Sequence, residues 1–346
     1  MKKILLLLTV ASHAFAAQAQ SYSETEPYLT KALSTEAIQT VEARTQAGGI
    51  TVKGGYSTDA RVEVFVGGNN SSERLSKEDI EKRLQEDYTL SITVTNHALT
   101  AVAKPKHQIV NWKRSLSISF KIYVPINVST NLETSGGSIN LSNLAGHQKF
   151  STSGGSLHVE QLTGKTTGST SGGSIHVADS KDEIDLSTSG GSIEATNCSG
   201  QIKLATSGGS LHLINLKGKI HAETSGGSAE GDNIEGELYV ETSGSSIRLT
   251  NLSCSLDAST SGASIHVAMV KLGKFVKLET SGGNIDLQIP QGNGIDLHID
   301  AGRIKTNGLS NFSGSQEKGK MNGTLNGGGI PVTVNTSGGQ VSLTTN

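Results

Sequence analysis

No charge of one sign dominates this sequence. Over 346 residues, 29 Lys and Arg stand against 31 Asp and Glu, a formal net charge of −2. There is no global basic field, which argues against nucleic acid as a partner. Proline is scarce, with 5 residues, which excludes collagen and proline-rich disorder. Aromatic residues make up only 4% and hydrophobic residues 34%, too little bulk for one thick globular core. The two cysteines cannot form a disulfide framework. After the first twenty residues no apolar run approaches the roughly 20 residues that a membrane-spanning helix needs. Glycine, by contrast, is abundant at 42 residues. The combination suits a thin, elongated fold that buries small aliphatic side chains.

Residues 1–19 read as a secretory signal peptide. Lys2 and Lys3 form the charged region, Ile4 to Val10 the apolar region, and Ala17-Gln18-Ala19 the cleavage site. The expected mature protein is exported and lies in the periplasm, at the cell surface or outside, with no membrane span of its own.

The main signal is a repeat. Thr-Ser-Gly-Gly-Ser or a near variant begins at Thr134, Thr152, Thr170, Thr188, Thr206, Thr224, Thr242 and Thr260, each 18 residues after the last. A ninth copy follows at Thr280 after 20 residues, and Thr336-Ser337-Gly338-Gly339 closes the series. Aliphatic pairs at i and i+2 flank each motif, such as Ile175/Val177 and Ile184/Leu186. This alternation predicts two short half-buried strands per unit. The Gly-Gly pair is expected to turn one corner through positive φ. Asn-Leu-x-Gly, as at Asn143–Gly146, makes the other corner. One such unit cannot bury its apolar side alone, but units stacked in register can. The predicted fold is all-β: a right-handed parallel β-helix (β-solenoid) with 18-residue coils over residues 126–346. A β-propeller needs blades of about 40 residues. A left-handed hexapeptide helix would place an aliphatic residue at every sixth position, which the close pairs do not fit. Handedness is therefore a preference.

Residues 20–125 lack the 18-residue period and read as an N-terminal β-rich cap or wider coils. Strands are expected over 60–66, 89–95, 99–103 and 115–124. One short helix is expected near residues 76–87, with Ser76 as N-cap, Asp79 at the capping-box position and Leu75 stapled to Ile80.

Candidate chemistry is sparse. The inward hydroxyls of the threonine and serine ladders are expected to bond backbone groups at the corner and one another along the stack. The threonine parity argues against an exposed ice-binding face. The outward column contains His158, His176, Glu194 and His212 about 4.8 Å apart, donors that suit zinc or copper, although a solvated face is the plainer explanation. Lys104, Lys106, His107, Lys113 and Arg114 surround the only tryptophan, Trp112, and could hold an anionic sugar or phosphate. Cys198 and Cys254 lie three repeats apart, too far for a disulfide. No Gly-x-Ser-x-Gly, His-Glu-x-x-His, Walker or Cys-x-x-Cys motif is present, so neither an enzyme nor a cofactor is expected.

The Thr-Ser-Gly-Gly-Ser-Ile units, the strand ending Phe120–Pro125 and Gly328-Gly329-Ile330-Pro331-Val332 together resemble the adhesin-like family of bacterial secreted β-strand-repeat proteins. The resemblance implies a parallel β-helix at the bacterial envelope and carries no catalytic residues. Together these readings point to a monomeric, non-enzymatic interaction scaffold with an envelope protein or a glycan as partner. A carbohydrate-binding or carbohydrate-degrading β-helix is the alternative.

Overall fold

The computed structural model describes residues 26–33, 36–69, 75–107 and 114–345. The signal peptide assigned to residues 1–19 lies outside them. The described residues form an all-β fold with one helix.

The 18-residue period is the period of the coil. Leu157 pairs in parallel with Ile139 on one side and Ile175 on the other, and Ile175 pairs with Ile193 in turn. The same offset holds through Leu211, Ala229, Ile247 and Ile265. All of these residues are fully buried and form one aliphatic column. Size is balanced locally within such columns. Phe150 fills the space above Gly168, where a Cβ would lie 2.2 Å from its ring.

Two expectations need correcting. The first concerns the strands. In several coils the two strands merge into one 14-residue strand, as in Ile139–Thr152, Leu157–Thr170 and Leu211–Thr224. They separate in others, as in Ile193–Thr196 and Ser199–Thr206. The ladder runs through the Asn-Leu-x-Gly corner because each corner rests on an equivalent one.

The second concerns glycine. Positive φ belongs to the Asn-Leu-x-Gly corner, with Asn215 at 55° and Gly218 at 124°, and not to the Gly-Gly pair. The second glycine of that pair is needed for a different reason. A Cβ on Gly209 would lie 2.1 Å from the Gly191 carbonyl oxygen of the coil before it. Adjacent backbones approach too closely for any side chain. Ser245 and Ala263 occupy this position in two coils, and there the corner opens: Gly244 has no atom within 4 Å of a Cβ position.

Each motif threonine turns inward and ties its corner to the next. Thr206 Oγ1 donates to Gly191 O at 2.8 Å and accepts from Gly209 N at 3.2 Å. The bonds are to backbone, as expected. Hydroxyl-to-hydroxyl bonding along the stack occurs between serines, where Ser228 Oγ donates to Ser210 Oγ at 3.4 Å. At the other corner, Asn215 donates to Asn197 and Asn233 to Asn215, both at 2.9 Å, an amide ladder that also satisfies these αL residues.

Spatial order departs from chain order at both ends. Strands Thr40–Thr45 and Ile50–Gly54 lie between Ala98–Pro105 and Leu116–Val124 on one side and Ser129–Thr134 and Ile139–Thr152 on the other. At the far end, Ile330–Thr336 and Gln340–Thr345 lie between Ile265–Thr280 and Ile285–Ile289 on one side and Ile295–Asp300 and Arg303–Asn307 on the other. Antiparallel strands cover both ends: Tyr88–Thr95, Arg61–Gly68 and Leu29–Ala32 at one, Lys320–Leu325 and Phe312–Glu317 at the other. They give the parallel ladder a finish, where open edges would invite pairing with other chains.

The helix is Lys77–Asp87. Ser76 Oγ accepts from Asp79 N at 3.1 Å, and Ile80 and Leu84 are its buried residues. It packs on Tyr88–Thr95 and Leu116–Val124. Among the described residues no helix is long and apolar enough to cross a membrane.

Candidate functional site

The coil stack places the outward column where the sequence put it. His158 pairs with Asn140 and His176, His176 with Glu194, Glu194 with His212, and His212 with Glu230. Arg248, His266 and Asp286 continue the line. The His158 and His176 rings stack at 5.3 Å with 12° between their planes. His176 Nδ1 lies 3.1 Å from Glu194 Oε2, His212 Nδ1 3.5 Å from Glu230 Oε2, and His266 Nδ1 2.8 Å from Asp286 Oδ2.

The column is therefore joined in twos. Glu194 faces His176, and His212 turns to Glu230. Among the described residues no three His, Cys, Asp or Glu gather in a group that could hold a metal ion. The side chains of the His176–Glu194 pair are about half exposed, at 50% and 49%, so each such contact contributes little stability. His158 is the exception in its surroundings. Partial burial, and then the neighbouring His176, lower its pKa below the ordinary imidazole value. A shallow trough of about 370 Å³ runs over this part of the face, lined by His158, His176, Glu160 and Glu194.

The basic cluster is organised differently. Arg114 Nη2 donates to Glu86 Oε2 at 3.0 Å and to Asp87 Oδ2 at 3.3 Å, and Lys106 Nζ donates to Gln85 O. The Glu86 hydrogen bond, followed by that of Asp87, raises the Arg114 pKa. Both cations are thus occupied by the C-terminal end of the helix. Lys104 lies in strand Ala98–Pro105, and Trp112 and Lys113 fall outside the described residues.

The thiols of Cys198 and Cys254 are free and buried. Burial pushes the Cys254 thiol up to about 12 and raises that of Cys198. Neither has the low pKa of a reactive cysteine.

One outward group escaped the sequence reading. Tyr239 and Phe275 meet with ring centroids 6.3 Å apart, and His221 lies 6.4 Å from Tyr239 on the other side. The 20-residue step after Thr260 was the available signal.

These features define a class: a β-solenoid-like domain that presents polar columns on flat sheets. Residues 179–344 match the model of the toastrack family, described as Toastrack DUF4097. This bears out the family resemblance drawn from the repeats. Two crystal structures are similar at low identity. One is a candidate cell adhesion protein from Clostridium sporogenes, with 10% identity, 92% of this chain and 98% of that chain covered, and a TM-score of 0.19. The other is a candidate adhesin from Bacteroides fragilis, with 12% identity, 91% and 96% covered, and a TM-score of 0.26. At those TM-scores neither carries an argument about this chain. No curated protein matches.

Proposed function

We propose that the protein is an exported, non-enzymatic β-solenoid that acts as an adhesin-like interaction scaffold of the bacterial envelope. Its partner is an envelope protein or a glycan, and it works as a monomer wound in the right-handed sense. The observation that carries this reading is the unbroken outward register from Asn140 to Asp286. A stack whose rungs repeat about every 4.8 Å holds polar side chains in fixed rows, so recognition needs position and no chemistry. The adhesin wording of the two similar structures is consistent with it but does not support it.

Proteolysis of intact producing cells tests the proposal, combined with binding of the labelled, folded protein to cells that lack it. Degradation by external protease and saturable binding are expected. Full protection from the protease together with no binding would overturn it.

A further inference from the structure

The only coil with a 20-residue step carries a bulge. Its strand, Ile265–Thr280, pairs Cys254 with Leu272 and then Leu256 with Val276, so the two extra residues are absorbed between them. The bulge is held in place: Lys274 N donates to Ser255 Oγ at 2.9 Å, and Lys274 Nζ reaches Glu237 Oε1 at 3.1 Å. Its effect is to bring Phe275 against Tyr239, two coils away, across the coil that carries Asp257. Bulges commonly re-aim a side chain beside a functional site. Lys219 Nζ lies 5.9 Å from the centre of the Tyr239 ring. The result is a half-buried aromatic platform on an otherwise polar outer sheet.

Two residues along the strand from Tyr239 stands Glu241, the first wall of a cleft of about 620 Å³. Its floor follows one row of paired rungs: Glu241, Ser259, Glu279, Asn335 and Asp300. Four steps of about 4.8 Å give the row a length of about 19 Å. The Glu241 side chain has no hydrogen-bond or ion-pair partner among the described residues. Asn335 Nδ2 donates to Glu279 Oε1 at 3.2 Å, while Asn335 Oδ1 is buried with no hydrogen-bond partner. Neither Lys nor Arg lines the cleft. Lys277, beside it, is engaged by Glu279 Oε2 at 2.7 Å.

We propose that the Tyr239–Phe275 platform and the adjoining cleft form a binding site for an oligosaccharide of neutral or amino sugars. Aromatic faces take up the apolar faces of sugar rings, while fixed acceptors fix orientation. The acceptors here are carboxylates, which suit hydroxyl and ammonium donors and repel uronates. The site deepens the scaffold reading by naming a ligand class, and it stands or falls separately from cell-surface exposure.

The test uses the full chain in calorimetry with chitosan, cello-, xylo- and galacturonate oligosaccharides. At least one neutral or amino oligomer is expected to bind. Its affinity is expected to fall tenfold or more in Tyr239→Ala and in Phe275→Ala and to persist in Tyr239→Phe. Glu241→Gln, at a side chain without protein partners, is expected to weaken the amino oligomer most. Binding of none of the four, preference for galacturonate, or affinities unchanged in both alanine variants and in Glu241→Gln would overturn the proposal. Such a failure would leave the protease result on intact cells untouched.

Discussion

The two glycines of one corner do different work, and adjacent substitutions separate them. A Cβ on Gly208 would approach Gly190 O at 3.3 Å, a contact that small shifts relieve, whereas one on Gly209 would approach Gly191 O at 2.1 Å. Gly209→Ala is expected to cost on the order of 3 kcal/mol in urea unfolding, and Gly208→Ala less than about 1 kcal/mol. The converse case is Thr166, which pairs with Gln148 on one side and Ile184 on the other and whose Oγ1 is buried without a partner. Thr166→Val should therefore stabilise by about 1 kcal/mol, read as a higher urea midpoint at unchanged slope. The thiols supply a third check. With Cys254 at about 12 and Cys198 also raised, neither should react with a disulfide reagent at pH 7.5 until urea opens the fold. Prompt labelling of the native protein would contradict the burial described.

At the scale of the element, the histidine column sets a pH response. His158 has a folded pKa below its ordinary value, so its neutral form is the one the fold favours. The stability associated with it is fully present above about pH 6.5, the ordinary imidazole value, and is lost as pH falls through the lower folded value. His158→Gln is expected to flatten the fall in urea midpoint between pH 7 and pH 5, without changing the midpoint at pH 8 by more than a small amount. An identical fall in both proteins would show that the stacked pair plays no part. The helix offers a simpler element-scale check: Ser76→Ala removes the acceptor for Asp79 N and should cost about 1 kcal/mol.

The column, the coil period and the helix were all legible in the sequence, for one physical reason. Each follows from local spacing: 18 residues per rung, two residues per side chain on one face, a capping serine before an acidic turn. Glycine was misread because its abundance at a corner fits two causes, positive φ and close backbone approach, and only the stacked neighbour distinguishes them. Phe275 was missed because its partner, Tyr239, lies two coils away and meets it only through the bulge. The pairing of His176 with Glu194 was equally invisible: spacing gives the neighbours of a column but not which of them each side chain turns toward.

For the whole molecule, the layers at the ends carry the information that no period announces. Thr280 pairs with Thr336 across 56 positions, and Thr45 with Thr134 across 89. Residues 330–345 are an internal layer, so their removal should not merely shorten the stack. We expect a chain lacking them to lose the packing between Ile265–Thr280 and Ile295–Asp300 and to elute from a sizing column as aggregate. A monomer of native stability would show that the coil before and the coil after can close on each other directly.

That internal layer also orders events in time. Synthesis delivers residues 295–325 before residues 330–345, yet the later stretch must settle beneath the earlier one. Until it arrives the terminal hairpin has nothing to rest on, and the growing stack shows a raw rim of unclaimed amides. A product interrupted anywhere short of residue 330 would keep that rim for good, a mark by which quality-control proteases could tell an unfinished copy from a finished one.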